Sequence, residues 1–262
     1  GSTTGEIQTF IRDQHALRGI SYVILFGDAE SIPPHYVTRH PTGQSPNRIG
    51  TDLYYATMGG AGDLVPDIAI GRLPVNSAVQ AQLVVDKIIA YESSPPSAAT
   101  HADFYERAAL AAYFQDNTDN TYADRGFAQT IEEIFAFLAG AGYAPERAYT
   151  TNSIDPRYWN DGTAIPAHLR MPGFPWDGDA ADISAMLNAG SFLLAHRDHG
   201  DSGGWSHPAY TTANIAALTN GDLLPVVFSI NCQTGWFDRE TDEEGAGTTG
   251  ECFSEQFLLK SG

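Results

Sequence analysis

Along most of the chain, short apolar runs alternate with amphipathic stretches, the pattern of strands alternating with helices. Residues 21–26 (SYVILF) are β-branched and aromatic and close on Gly27 and Asp28, which predicts a buried strand ending at a turn. A second such run, Ile68, Ala69 and Ile70, leads into Gly71, Arg72, Leu73 and Pro74. Over 77–92 the apolar residues Val79, Leu83, Val84, Ile88 and Tyr91 recur every three or four positions, and Ser77 with Gln80 can form a capping box. This stretch predicts an amphipathic helix, and Pro95 and Pro96 forbid its continuation. A boundary there gives an N-terminal α/β subdomain, residues 1–95, and a second subdomain, residues 96–262.

In the second subdomain the pattern predicts strands over 108–114, 191–195 and 225–230, and helices over 125–139, 182–188 and 212–218. Phe127, Ile131, Ile134, Phe135 and Leu138 form one face of the first of these helices. Between 152 and 179, Pro156, Pro166, Pro172 and Pro175 predict a long irregular insertion. Its Trp159, Phe174 and Trp176 either form a recognition surface or pin the loop to the body. The fold class is α/β, a largely parallel sheet with helices on both faces, preceded by a smaller α/β subdomain.

Charge narrows the partners. The 262 residues carry 14 Lys and Arg against 32 Asp and Glu, a formal net charge of −18. No basic cluster offers the counterion release on which nucleic-acid binding depends, so nucleic acid and anionic membranes are excluded as partners. No apolar run approaches the roughly 18 residues of a membrane-spanning helix. Cys232 and Cys252 are too few for a disulfide framework or a four-cysteine zinc site. Strong acidity, with Lys87 and Lys260 as the only lysines, leans towards an extracellular protein.

Two predicted strands end in reactive residues: 192–195 leads into His196, Arg197, Asp198, His199 and Gly200, and 226–230 leads into Asn231 and Cys232. Reacting groups of open α/β sheets gather beyond such strand ends. A histidine and a cysteine delivered from neighbouring strands make a nucleophile and its general base, and the thiol needs that help because its ordinary pKa, about 8.5, leaves it mostly protonated near neutrality. Gly200 lets a backbone N–H approach a substrate carbonyl. The plainer alternative for Cys232 is a small core residue.

His199-Gly200 followed by Trp205, the run 224–228 into Cys232, the segment 251–255 around Cys252, and upstream 22–33 and 67–74 together resemble the gingipain-type cysteine peptidases, which share their fold with caspases. The resemblance covers most of the chain. It implies a secreted or cell-surface bacterial endopeptidase acting on protein or peptide substrates, in which Cys232 attacks the peptide carbonyl and His199 protonates the leaving amine. The N–H groups of Gly200 and Cys232 would hold the oxyanion, with no cofactor required for catalysis. The acidic residue that orients the histidine in relatives falls near Phe114, Gln115 and Asp116, which makes Asp116 the candidate orienter. Asp124 and Trp205 are candidates for the specificity pocket, where a carboxylate would select a basic residue; the alternative for Asp124 is a helix cap. Relatives continue past the point matching Gly262 with another strand and pocket loops, so the chain reads as part of a longer protein with further domains. Both thiols are expected free, since a Cys232–Cys252 bridge would consume the nucleophile.

Other chemistries compete. His196, Asp198 and His199 are the residue types of a zinc site, although on an extended strand His199 takes the face opposite to His196 and Asp198. The oxygen-rich stretches 116–120 with Asp124, and 238–244, suit a structural calcium ion, which the resemblance also implies. A non-catalytic caspase-like binding or scaffold module is the alternative outside enzymology.

Overall fold

The computed structural model describes residues 2–38, 48–60, 62–238 and 250–261. Contacts divide the chain into two compact units, Gly1–Asp86 with Trp236–Leu259, and Lys87–Gly235 with Lys260–Gly262. The sequence boundary at Pro95 and Pro96 marks where a helix stops. The packing changes earlier, inside that helix, whose apolar periodicity runs on without a break.

The first unit opens with α1 (Thr4–Arg18), capped by a reciprocal Thr3/Glu6 box and closed by Gly19 in the left-handed conformation, φ 65°. Then come β1 (Tyr22–Phe26), β2 (His35–Thr38), β3 (Arg48–Thr51), α2 (Leu53–Ala56), β4 (Ala69–Leu73) and the first part of α3 (Ala78–Ser93), whose residues from Lys87 on belong to the second unit. β1 and β4 pair in parallel and β2 and β3 antiparallel. Ile11, Leu25, Tyr55, Ala56 and Ile68 form its core. Arg72 has a structural task. Its guanidinium makes two bonds to Asp52, at 2.8 and 2.7 Å, and donates to the Gly27 and Ile32 carbonyls, which ties the turn after β1 to β4. The expected capping box of α3 is half formed, since Gln80 N–H donates to Ser77 Oγ while the Gln80 amide oxygen accepts from Asn76 N–H.

The second unit is built on β5 (Arg107–Phe114), α4 (Phe127–Gly140), β6 (Ala144–Thr151), α5 (Ala180–Asn188), β7 (Leu193–Arg197), β8 (Gly200–Asp201), β9 (Gly204–Ser206), β10 (Ala209–Thr211), α6 (Thr212–Ala216) and β11 (Val226–Ile230). The chain ends in α7 (Phe253–Leu259), which belongs to the first unit. Four parallel strands stand in the order β11-β7-β5-β6. β5 is central and buried along nearly its whole length, as its run of Ala, Leu, Tyr and Phe requires. α4 lays Ile131 and Ala128 on Leu110, Ala112, Phe114 and Tyr149, with Ile134, Phe135 and Leu138 beside them. The irregular insertion is pinned, not offered to a partner: Trp159 and Trp176 are buried in this same cluster, and Trp176 Nε1 donates to the Leu169 carbonyl at 2.7 Å.

Candidate active site

The crossovers leave β5 towards β6 on one side and return to β7 on the other, so the strand order reverses between β5 and β7 and a crevice opens beyond their carboxyl ends. Gln115 directly follows β5, while His199 and Cys232 each lie two residues past the ends of β7 and β11. The register matches Ile230 with Arg197 and Arg197 with Ala112. β7 and β11 thus carry His199 and Cys232 to matched positions past their ends, and the Arg197 and His199 side chains lie on one face of the sheet. This is the face covered by α4. Phe127 meets the His199 ring edge to face, with centroids 5.2 Å apart, and the Arg197 guanidinium donates to the Thr130 hydroxyl.

His199 is exposed, and its Nε2 lies 3.0 Å from Gln115 Oε1. An amide oxygen can only accept, so Nε2 carries the hydrogen and Nδ1 is the basic atom. Cys232 is a free, exposed thiol. Cys252 is also free but buried, and burial together with the Glu255 charge pushes its thiol up, away from reactivity. The missing side chain of Gly200 matters sterically. A Cβ there would lie 3.0 Å from the Gly204 carbonyl oxygen, 3.2 Å from Asn231 Cγ and 3.2 Å from the Cys232 carbonyl oxygen.

On the opposite face the same strand ends are closed by the β9–β10 hairpin. The His196 ring stacks on Trp205 with centroids 4.0 Å apart, and His207 stacks on Tyr113 at 4.2 Å. His196 is fully buried with both ring nitrogens engaged, Nε2 at 3.1 Å from the His207 carbonyl and Nδ1 at 2.8 Å from Asn231 Nδ2. Burial drives its pKa down to about 3. Asp198 is buried here too, facing His207 Nδ1 at 3.3 Å; burial pushes its carboxyl up against the pull of the His199 backbone N–H and the two imidazoles.

Several expected roles change in this geometry. The partner of His199 is Gln115, not Asp116. The Asp116 carboxylate accepts from the N–H groups of Asn120 and Thr121 and from the Ser153 hydroxyl; burial raises its pKa, but these bonds outweigh burial and hold it low. Trp205 is core, 3% exposed, with Nε1 donating to Ser229 Oγ at 2.9 Å, so it offers no pocket wall. Asp124 does not cap α4, whose N-cap is Gly126; its carboxylate accepts from Asn117 N–H and its own N–H donates to the Gln115 carbonyl. The zinc trio does not converge, because His196 and Asp198 face the hairpin while His199 faces α4. Among the described residues no three His, Cys, Asp or Glu side chains cluster as metal ligands. Calcium in the 116–124 loop would have to displace the bonds that close it. In the other oxygen-rich stretch, 239–244 lies outside the described residues.

The sequence did not single out Gln115, Asn231 and Ser229, and it marked His207, before Pro208, as a surface residue, whose ring is half exposed while it meets Asp198. The signal for Gln115 was adjacency, since it is the first residue past a central strand at the switch point.

The profile of peptidase family C25 matches residues 1–262. The chain belongs to that family. Among relatives of this C25 chain, Lys-gingipain of Porphyromonas gingivalis is 24% identical over 245 residues, covering 91% of this chain and 12% of that protein. An uncharacterised protein of Archaeoglobus fulgidus is 28% identical over 257 residues, covering 90% of this chain and 51% of that one. The crystal structure of the Arg-specific cysteine proteinase gingipain R superposes with a TM-score of 0.70 at 21% identity, over 99% of this chain and 50% of that one. The chain thus spans about half the length of these relatives or less. The α/β, caspase-like fold expected from the sequence is the fold of these structures.

Proposed function

We propose that this C25 chain is the catalytic part of a cysteine endopeptidase with Cys232 as nucleophile and His199 as general acid and base. The observation that carries the reading is the pairing of β7 with β11, since a histidine with an available Nδ1 and a free, exposed thiol each follow one of these adjacent strand ends by two residues. The Cys232 sulfur attacks the peptide carbonyl carbon and its proton passes to His199. His199 returns that proton to the amine as the C–N bond breaks. Water, deprotonated by His199, then hydrolyses the thioester and restores the thiol. The backbone N–H groups of Gly200 and Cys232 are the donors proposed for the oxyanion. Gln115 orients the imidazole as a neutral acceptor.

A basic residue before the cut is the preference this reading carries. Asp124, whose N–H donates to the Gln115 carbonyl at 2.8 Å, is the carboxylate held beside the end of β5. The reading also includes release outside the cell and further domains in the whole protein. Among the described residues no helix is long and apolar enough to cross a membrane.

Hydrolysis of a panel of peptidyl aminomethylcoumarins, with basic, acidic or apolar residues before the scissile bond, tests the activity. Turnover is expected for wild type and not for Cys232→Ala. Asp124→Ala should erase the preference for Arg or Lys, and an unchanged profile removes Asp124 from the pocket. A chain that never turns over any substrate favours the scaffold module.

A further inference from the structure

The hairpin face of the sheet holds a hydrogen-bond network whose central member, Asn231, directly precedes Cys232. Its polarity follows from one fixed point. The His207 carbonyl can only accept, so His196 Nε2 carries the hydrogen and His196 Nδ1 presents a lone pair. Only a donor satisfies that lone pair, which orients the Asn231 amide with Nδ2 towards His196, at 2.8 Å. The Asn231 Oδ1 then faces the hydroxyls of Ser229, at 3.1 Å, and Thr234, at 2.6 Å, which also lie 3.0 Å from each other, so the three oxygens share two hydroxyl protons. Ser229 Oγ accepts from Trp205 Nε1, and the Trp205 ring lies flat on His196. Flipping the amide would face Nδ2 with hydroxyl oxygens and Oδ1 with the bare Nδ1, two acceptors in contact. Burial, which keeps His196 neutral far below ordinary pH, keeps the network in this one arrangement.

The network also touches the site. Asn231 Cγ and the Cys232 carbonyl oxygen are both 3.2 Å from where a Gly200 Cβ would stand, so the Asn231 side chain packs against the backbone of Gly200. We propose that Asn231, locked by neutral His196, is a positioning residue that fixes the spacing between Gly200 and Cys232 and so holds the two backbone donors of the oxyanion site in register. This rests on the reading of Cys232 as nucleophile. Asn231 acts through the backbone on either side of it, and its side-chain hydrogen bonds go to His196, Ser229 and Thr234. It therefore serves transition-state stabilisation without activating the thiol.

The test compares wild type with Asn231→Ala on the best aminomethylcoumarin substrate and, in parallel, on iodoacetamide, whose reaction with a thiol needs no oxyanion donors. The expected result is a kcat lowered about 10- to 100-fold, the scale of a small misplacement at a site. KM should stay within about 2-fold and the rate and pH profile of Cys232 alkylation should not change. Unchanged kcat overturns the proposal, and so does a fall in alkylation parallel to kcat, since that assigns Asn231 to the thiol or to the fold. If Asn231→Ala fails to fold, ¹⁵N-edited NMR of the wild-type imidazoles decides. A His196 signal protonated at Nε2 alone and unchanged from pH 8 to 5 supports the proposal; a proton on Nδ1 overturns it. Absence of any Cys232-dependent turnover in wild type removes the peptidase reading and this inference with it.

Discussion

Two faces meet at the carboxyl ends of β5, β7 and β11, and they treat the same residue types in opposite ways. His199, on the α4 face, is exposed with one ring nitrogen bonded to Gln115, and the Cys232 thiol past the end of β11 is exposed as well. On the hairpin face, three residues earlier on the same strand, His196 is buried beneath Trp205 with both nitrogens bonded. The alternation of a strand is the cause: residues 196 and 199 differ by an odd number, so one imidazole goes to each side. The exposed histidine keeps a nitrogen available for chemistry, whereas the buried one, its pKa driven down to about 3, has both nitrogens committed to structure. A strongly shifted pKa in a cleft is a reasonable first pointer to function. On this chain it points to His196, whose nitrogens are both taken, and not to the histidine proposed as general acid and base.

The sharpest way to break the contrast is to remove each histidine. His199→Ala should lower kcat/KM by about 10²- to 10⁴-fold, the usual range for a general acid–base group, with little change in thermal stability. A loss of fold in that variant would place His199 among the supports.

The next largest effect is on stability against pH. His196 has a folded pKa of about 3 and an unfolded value near 6.5. The unfolded chain therefore takes up a proton that the folded chain refuses, and stability present above about pH 6.5 is lost progressively as pH falls towards 3. Each unit of difference corresponds to about 1.4 kcal/mol, so the total is several kcal/mol. Thermal midpoints measured from pH 7 to 4 should fall less steeply in His196→Gln than in wild type, and as steeply in His199→Ala. A flattened profile in His199→Ala would reverse the assignment of the two faces.

The smallest effect expected is at Gln115. Gln115→Ala removes one neutral hydrogen bond, and activity should fall about 2- to 10-fold, the worth of about 0.5–1.5 kcal/mol. A loss as large as that of His199→Ala would mean that Gln115 does more than orient the ring.

The second unit was largely legible in the sequence because its central elements are strongly patterned. The apolar run of β5 and the apolar face of α4 fall within two residues of their expected limits. β6 was not legible: its sequence APERAYTT carries Pro145, Glu146 and Arg147, which only an outer strand next to β5 tolerates. α1 was missed for want of apolar periodicity, although Thr3, Glu6 and Gly19 spell both of its caps. At the site, the residues that present chemistry could be read from strand ends, whereas their partners could not. Trp205 and His207 meet His196 because a hairpin folds back over the sheet, and Asn231 meets it because it follows β11, the strand paired with β7; no spacing along the chain encodes either contact. For the same reason Asp116 looked like an orienter, since a carboxylate one residue beyond Gln115 is indistinguishable from it until the loop over 116–121 is seen to close on its own backbone.

The central claim is that Cys232 is the nucleophile and that the thiol needs its place beside His199. Peptide mapping after reaction with a peptidyl chloromethyl ketone under reducing conditions tests it most directly. The account predicts a single adduct, on Cys232, formed much more slowly in His199→Ala and never on the buried Cys252. An adduct on Cys252, or labelling of Cys232 that is indifferent to His199, would contradict it.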